Sequence, residues 1–201
     1  HAWPGAPPRA GLRPVRLLPF VTATGAGPDP GLLGSIAVAA VGSGAAAWLV
    51  GGAVRDLLLG LPARDLYVAL EGTAEAAERT TAALSAEEGW SCRVRHAAFG
   101  TATLVGPDGT RVDVAVTREE TYPRPGALPV VSPGVPIVRD LARRDFTIHA
   151  MAFSLGPAGV QGPLLDPFGG RADLGRKSVR LLHGGSLADD DAAPHGDTDS
   201  N

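Results

Sequence analysis

Two stretches of the chain alternate apolar and polar residues with a period of two, the pattern of a half-buried strand. In Asp65–Leu70, Leu66, Val68 and Leu70 fall on one side, and Asp65, Tyr67 and Ala69 on the other. In Arg111–Val116, Val112, Val114 and Val116 face a core, while Arg111, Asp113 and Ala115 face outward. Cys92–His96 and Thr101–Val105 read as two further strands. Pro107-Asp108-Gly109 is turn chemistry that closes Thr101–Val105 and Arg111–Val116 into a hairpin. Ala46–Val50 is apolar throughout, a buried strand stopped by Gly51-Gly52. Three helices accompany these strands. Leu32–Val41 is one, weakened by its glycines; Val54–Leu59 is short and closed by Gly60 and Pro62. Thr73–Glu88 carries Glu75 and Glu78 near its positive end and Gly89 after it. Further on, Thr117–Val138 reads as a long proline-rich loop, and Ile137–Phe153 as a helix or helix-like segment with Asp140, Arg143, Arg144 and Asp145 in its middle. Leu164–Gly170 reads as a turn, Ala172–Arg180 as a short helix, and Leu181-Leu182 as strand-like.

The periodic region is bounded on both sides. Residues 1–30 are rich in proline and glycine and predict an irregular arm. Residues 31–183 predict one compact domain, and 184–201 an acidic flexible tail. The segment Asp189–Asn201 holds Asp189, Asp190, Asp191, Asp197 and Asp199 and no Lys or Arg. The chain has 18 basic and 21 acidic residues, so those five aspartates turn a slightly basic domain into a net charge of -3. Such a balance does not mark a nucleic-acid binder by charge alone. Lys177 is the one lysine, so the positive charge is carried by arginine, the side chain suited to bidentate phosphate contacts. A single cysteine, Cys92, excludes an intramolecular disulfide framework and a cysteine-rich zinc site. Residues 31–54 carry no charge, but their glycine and alanine content makes a poor spanning helix. With no signal-peptide pattern at the start, the expectation is a soluble cytoplasmic protein without a membrane partner.

Three groups of residues could carry chemistry. Gly51-Gly52 lies at a strand-to-helix junction, where bare backbone N–H groups meet the positive end of a helix dipole, and Arg55 follows one turn on. That arrangement suits phosphate, although a glycine pair alone reads as a tight turn. Asp65 and Asp113 are the carboxylates placed on the non-core side of their strands, where neighbouring strands would let them share a divalent cation. Two solvated strand-end aspartates are the plainer alternative. Arg143, Arg144 and Asp145, with His149 four residues after Asp145, would put a cation beside a hydrogen-bonding pair on one helix face. A solvated ion-paired face would look the same.

Order and spacing add what single residues lack. Leu49-Val50-Gly51-Gly52-Ala53-Val54-Arg55-Asp56, Arg64-Asp65-Leu66, Val112-Asp113, Asp140-Leu141-Ala142-Arg143-Arg144-Asp145-Phe146-Thr147-Ile148 and Leu165-Asp166-Pro167-Phe168-Gly169-Gly170 appear in that sequence. Together they resemble the head domain of the class II tRNA nucleotidyltransferases (CCA-adding enzymes) and bacterial poly(A) polymerases. The resemblance covers about residues 32–183 and extends to Tyr122-Pro123-Arg124-Pro125-Gly126. It implies an α+β fold, a polymerase-beta-like nucleotidyltransferase head with a mixed, mostly antiparallel sheet flanked by helices. It implies an enzyme that adds CMP or AMP from CTP or ATP to an RNA (tRNA) 3′ end, using two Mg²⁺ ions. By position, Gly51, Gly52 and Arg55 match the triphosphate cradle, Asp65 and Asp113 the metal-holding acids, and Arg144 and Asp145 the nucleotide contacts.

The chain departs from that pattern at three places. Tyr67 stands where the family has the second aspartate of its metal pair, and a phenol offers a hard cation little. His149 stands where the family has an asparagine contacting the nucleotide. After His183, the helices expected in the family give way to Gly184-Gly185 and the aspartate-rich tail. The expectation is therefore an impaired nucleotidyltransferase head with weakened Mg²⁺ binding. The alternative is an inactive relative serving as a nucleotide-binding or protein-interaction module.

Overall fold

The computed structural model describes residues 27–182, apart from 64, 97–99, 122 and 124–127. The arm up to residue 26, the tail from 183, Arg64 and most of Tyr122–Gly126 lie outside the described residues. Helix α1 (Pro30–Gly42) begins with the Asp29 carboxylate accepting from the Gly31 and Leu32 N–H groups, with Pro30 at its first position. Strand β1 (Ala46–Val50) leads through Gly51 into α2 (Gly52–Leu59), which Gly60 ends in the left-handed conformation. Then come β2 (Asp65–Glu71) and α3 (Ala74–Ala86), whose first turn is capped by the Thr73 hydroxyl. Strands β3 (Ser91–His96), β4 (Thr101–Val105) and β5 (Arg111–Val116) follow.

Seven strands form one sheet in the order β3-β4-β5-β2-β1-β8-β9, the last two being Ala152–Gly156 and Gly159–Leu165. Every neighbouring pair is antiparallel except β2 and β5, which run parallel in the register Asp65↔Arg111, Tyr67↔Asp113, Ala69↔Ala115. This is the mixed, mostly antiparallel sheet of an α+β domain. One face buries Leu66, Val68, Leu70, Val112, Val114 and Val116 against Leu33 and Ile36 of α1 and Leu84 of α3. Full burial of a side chain of this size contributes about 2 kcal/mol. The opposite face is covered only in part. There Val50, Ala69 and Ala152 pack on Ile137 and Leu141 of α4 (Ile137–Ala142) and on Ala150. Among the described residues no helix is long and apolar enough to cross a membrane.

Several expectations change. Thr117–Val138 is not all loop: β6 (Arg118–Thr121) and β7 (Val130–Pro133) form a separate antiparallel hairpin. Ile137–Phe153 is not one helix. α4 ends at Ala142, residues 143–146 turn away, Thr147–His149 is a 3₁₀ turn, and β8 has begun by Ala152. The cause is long-range: Phe146 bridges Leu181, the Asp145 carbonyl accepts from Leu182 N, and Thr147 N donates to the Arg180 carbonyl. Arg143, Arg144 and Asp145 thus lie beyond the helix, and Asp145 and His149 do not share a helical face. Strand β9 takes up the start of the expected turn Leu164–Gly170, and the last helix, α5, is Gly170–Gly175 rather than Ala172–Arg180. Ala69 is buried against α4 rather than exposed.

Candidate functional site

Gly51 has φ +70° and ψ −137°, a conformation open to glycine and strained for any other residue. It lets the chain leave β1 and enter α2 in one step, with the Val54 and Arg55 N–H groups donating to its carbonyl. A Cβ at Gly51 would lie 3.0 Å from Arg144 Nη1, so the guanidinium rests directly on the bare backbone. Arg144 is held from behind. Its Nη2 donates to Asp140 Oδ2 at 3.0 Å, while Asp140 Oδ1 accepts from Arg143 Nε and Nη2 and from the Arg118 N–H. Asp140 is 2% exposed, so one buried carboxylate organises two arginines. Burial pulls the Arg144 pKa below its ordinary value, and Asp140 opposes that shift. Arg144 Nε is buried with no hydrogen-bond partner among the described residues.

Arg55 reaches across the fold rather than into open solvent. Its Nε donates to Asp56 Oδ1 at 2.8 Å, and its Nη1 lies 2.7 Å from His149 Nε2. Arginine has donors only, so Nε2 is the acceptor and the imidazole proton sits on Nδ1. Burial lowers the His149 pKa, as do the Arg55 and Arg144 charges, while Asp56 and Asp145 pull the other way. The Phe146 ring packs edge-on at 6.0 Å. Asp145 is exposed.

The acids lie on the face of the sheet that α4 leaves open. Asp65 and Tyr67 share that face by alternation, and Asp113 sits beside Tyr67 in the parallel register, so Asp65 and Asp113 are diagonal neighbours. Tyr67 is 47% exposed, and with Asp113 it lines a groove of about 430 Å³ that runs to Asp140, Arg143 and Arg144. Asp113 already has partners: Oδ1 accepts from Thr103 Oγ1 at 2.6 Å, and Arg111 Nη2 lies 3.1 Å from Oδ2. Arg111 is also the register partner of Asp65. A pair of divalent cations wants several anionic oxygens converging on it. Here the described donors are two carboxylates and a phenol, and one of the carboxylates is already paired with Arg111. These residues do not fit a two-metal centre.

The structure thus brings Gly51, Gly52, Arg55, Arg144 and His149 to one end of the sheet, and Asp65 and Asp113 to its open face. Sequence reading gave no site role to Asp140, Thr103 or Arg111. For Asp140 a signal existed, since it precedes Arg143 and Arg144 by three and four residues, the spacing of side-chain neighbours on a helix.

Residues 47–180 match the model of the poly(A) polymerase head domain. The chain is 45% identical over 143 residues to an A-adding tRNA nucleotidyltransferase of Halalkalibacterium halodurans, covering 71% of this chain and 32% of that protein. It is 43% identical over 142 residues to a CC-adding tRNA nucleotidyltransferase of Deinococcus radiodurans, covering 71% and 36%. Among solved structures, the Thermotoga maritima CCA-adding enzyme complexed with tRNA superposes with a TM-score of 0.59 at 36% identity, over 79% of this chain and 34% of that one. A CCA-adding enzyme complexed with ATP gives a TM-score of 0.60, also at 36% identity over 79% and 34%. The chain belongs to the poly(A) polymerase head-domain family of nucleotidyltransferases. It spans about a third of the length of the two curated relatives named here.

Proposed function

We propose that this chain is the head of a template-independent RNA nucleotidyltransferase that binds ATP or CTP and serves the 3′ end of a tRNA. The observation that carries this reading is the contact of Arg144 with the glycine-opened start of α2. A helix N-terminus already favours phosphate, and Arg144 adds a fixed cation whose buried Nε lacks a partner among the described residues. Arg55 supplies a second charge one turn on, and Asp145 lies next to Arg144 for the nucleoside. The relatives' activities and the tRNA and ATP complexes of the structural neighbours agree with this assignment.

Transfer itself is impaired in this reading. Tyr67 brings no negative charge to the place where the family has an aspartate, and Arg111 already neutralises Asp113. The same observation favours a second reading, an inactive relative that keeps nucleotide binding. Incorporation of AMP or CMP into a tRNA lacking its 3′ CCA, by the chain and by Tyr67→Asp, tests both. With Mg²⁺ present, the variant is expected to exceed the unmodified chain by about a hundredfold, some 3 kcal/mol of transition-state stabilisation. Equal rates in the two proteins would refute the role given to Tyr67. Activity in neither, with ATP bound by both, would leave the binding module as the function.

A further inference from the structure

We infer that His149 takes up a proton when a polyphosphate binds beside Arg55, so that nucleotide affinity in this chain rises as pH falls. The inference rests on the reading of the α2 N-terminus as a triphosphate site. It begins with the 2.7 Å contact between Arg55 Nη1 and His149 Nε2. That bond exists only while the Nε2 lone pair is free, because arginine cannot accept. A proton on Nε2 would break it and set two cations side by side. Without an anion, the neutral imidazole is therefore favoured.

The charged groups on the elements packed against the ring set this balance. From α2 come the Arg55 cation and the Asp56 carboxylate, the latter engaged by Arg55 Nε. From the segment after α4 come Arg144 and Asp145. From α5, Asp173 is bound by the Thr147 hydroxyl and by Arg176, and Arg180 joins it from beyond the helix. Cations and burial prevail over the two nearby acids, and the imidazole pKa lies below its ordinary value. A bound polyphosphate reverses that. It gives Arg55 acceptors better than an imidazole nitrogen, and its negative charge favours the imidazolium.

The sign follows by linkage. The free-state pKa is depressed and the bound-state pKa is higher. Between the two, binding takes up as much as one proton, and affinity rises by up to tenfold per unit fall in pH. Above both values His149 contributes no pH dependence. Asparagine, which the resemblance implies at this position, cannot titrate.

The experiment is calorimetric titration of ATP into the full chain and into His149→Asn, at pH 6 and pH 8, each in two buffers of different ionisation enthalpy. The terminal phosphate of ATP titrates in the same range, and the variant subtracts it. The expected result is proton uptake at pH 6 in the unmodified chain beyond that in His149→Asn, and an affinity gain from pH 8 to pH 6 several-fold larger. Equal proton uptake and equal pH dependence, with ATP bound by both, would overturn the inference while leaving the triphosphate site intact. No ATP binding by the unmodified chain would overturn both. Should the variant fail to fold, the His149 ring resonance of the unmodified chain decides: its titration midpoint rises on adding ATP, or the inference is wrong.

Discussion

Asp140 carries more of the site than any residue that touches the outside. It is nearly inaccessible, yet it accepts from Arg143, Arg144 and the Arg118 backbone, and so fixes the cation that lies on Gly51. Removing one partner of a buried ion pair leaves uncompensated charge behind, and the two arginines are only about one-fifth exposed. Asp140→Asn is expected to destabilise the domain by about 3 kcal/mol, read from urea unfolding, and to weaken ATP binding. The Arg95–Glu78 pair, partly exposed on both sides and 3.5 Å apart, is expected to change stability by less than about 1 kcal/mol when Glu78 becomes Gln. Asp173 gives a pH signature. The Thr147 hydroxyl, then Arg176 and Arg180, hold its pKa below the ordinary aspartate value. Its stabilisation is present above the unfolded-state pKa and disappears as pH falls through the lower folded-state one. Thermal melts should therefore show Asp173→Asn less stable than the unmodified chain at neutral pH, with the gap closing in strong acid.

At the scale of elements, strand alternation and the first three helices were legible, whereas the helical spacing of Ile137–Phe153 misled. Asp65–Leu70 and Arg111–Val116 face the way their patterns say, because one side of each strand meets α1 and α3. Ala69 breaks the pattern only because α4 covers that end of the outer face, a contact between residues some 70 positions apart that no local window contains. In Ile137–Phe153, Ile137, Leu141, Ile148 and Met151 are spaced as on a helix. The backbone between them is instead drawn into pairing with residues 180–182. The proline-rich run after Thr117 hid a hairpin for a similar reason, since Val130–Pro133 pairs with Arg118–Thr121 and has little apolar pattern of its own. Gly51 is where element geometry and site coincide. Gly51→Val forces a β-branched residue into a glycine conformation and pushes its Cβ against Arg144. The expected cost is about 1–3 kcal/mol in unfolding free energy, together with at least a tenfold loss of ATP affinity. An unchanged affinity would show that the α2 junction is only a turn.

Across the whole molecule, a seven-stranded sheet buries one face and leaves part of the other open, and the open part is where the polar residues gather. The motif order in the sequence made the family legible, and strand alternation put Asp65 and Asp113 on one side. What the sequence could not show is that Thr103 also holds Asp113, which it reaches because β4 and β5 are neighbours; Arg111, two residues away on the same face of β5, was within reach of the alternation pattern. The proposed reading is of a head that keeps a nucleotide cradle and lacks part of the acidic centre. Its central claim is that ATP binds at Arg144 and the start of α2. Calorimetric titration of ATP into the chain and into Arg144→Ala tests this most directly. The account predicts one saturable site in the unmodified chain, weakened at least tenfold in the variant. Absence of saturable binding in the unmodified chain, or equal affinity in the two, would contradict it.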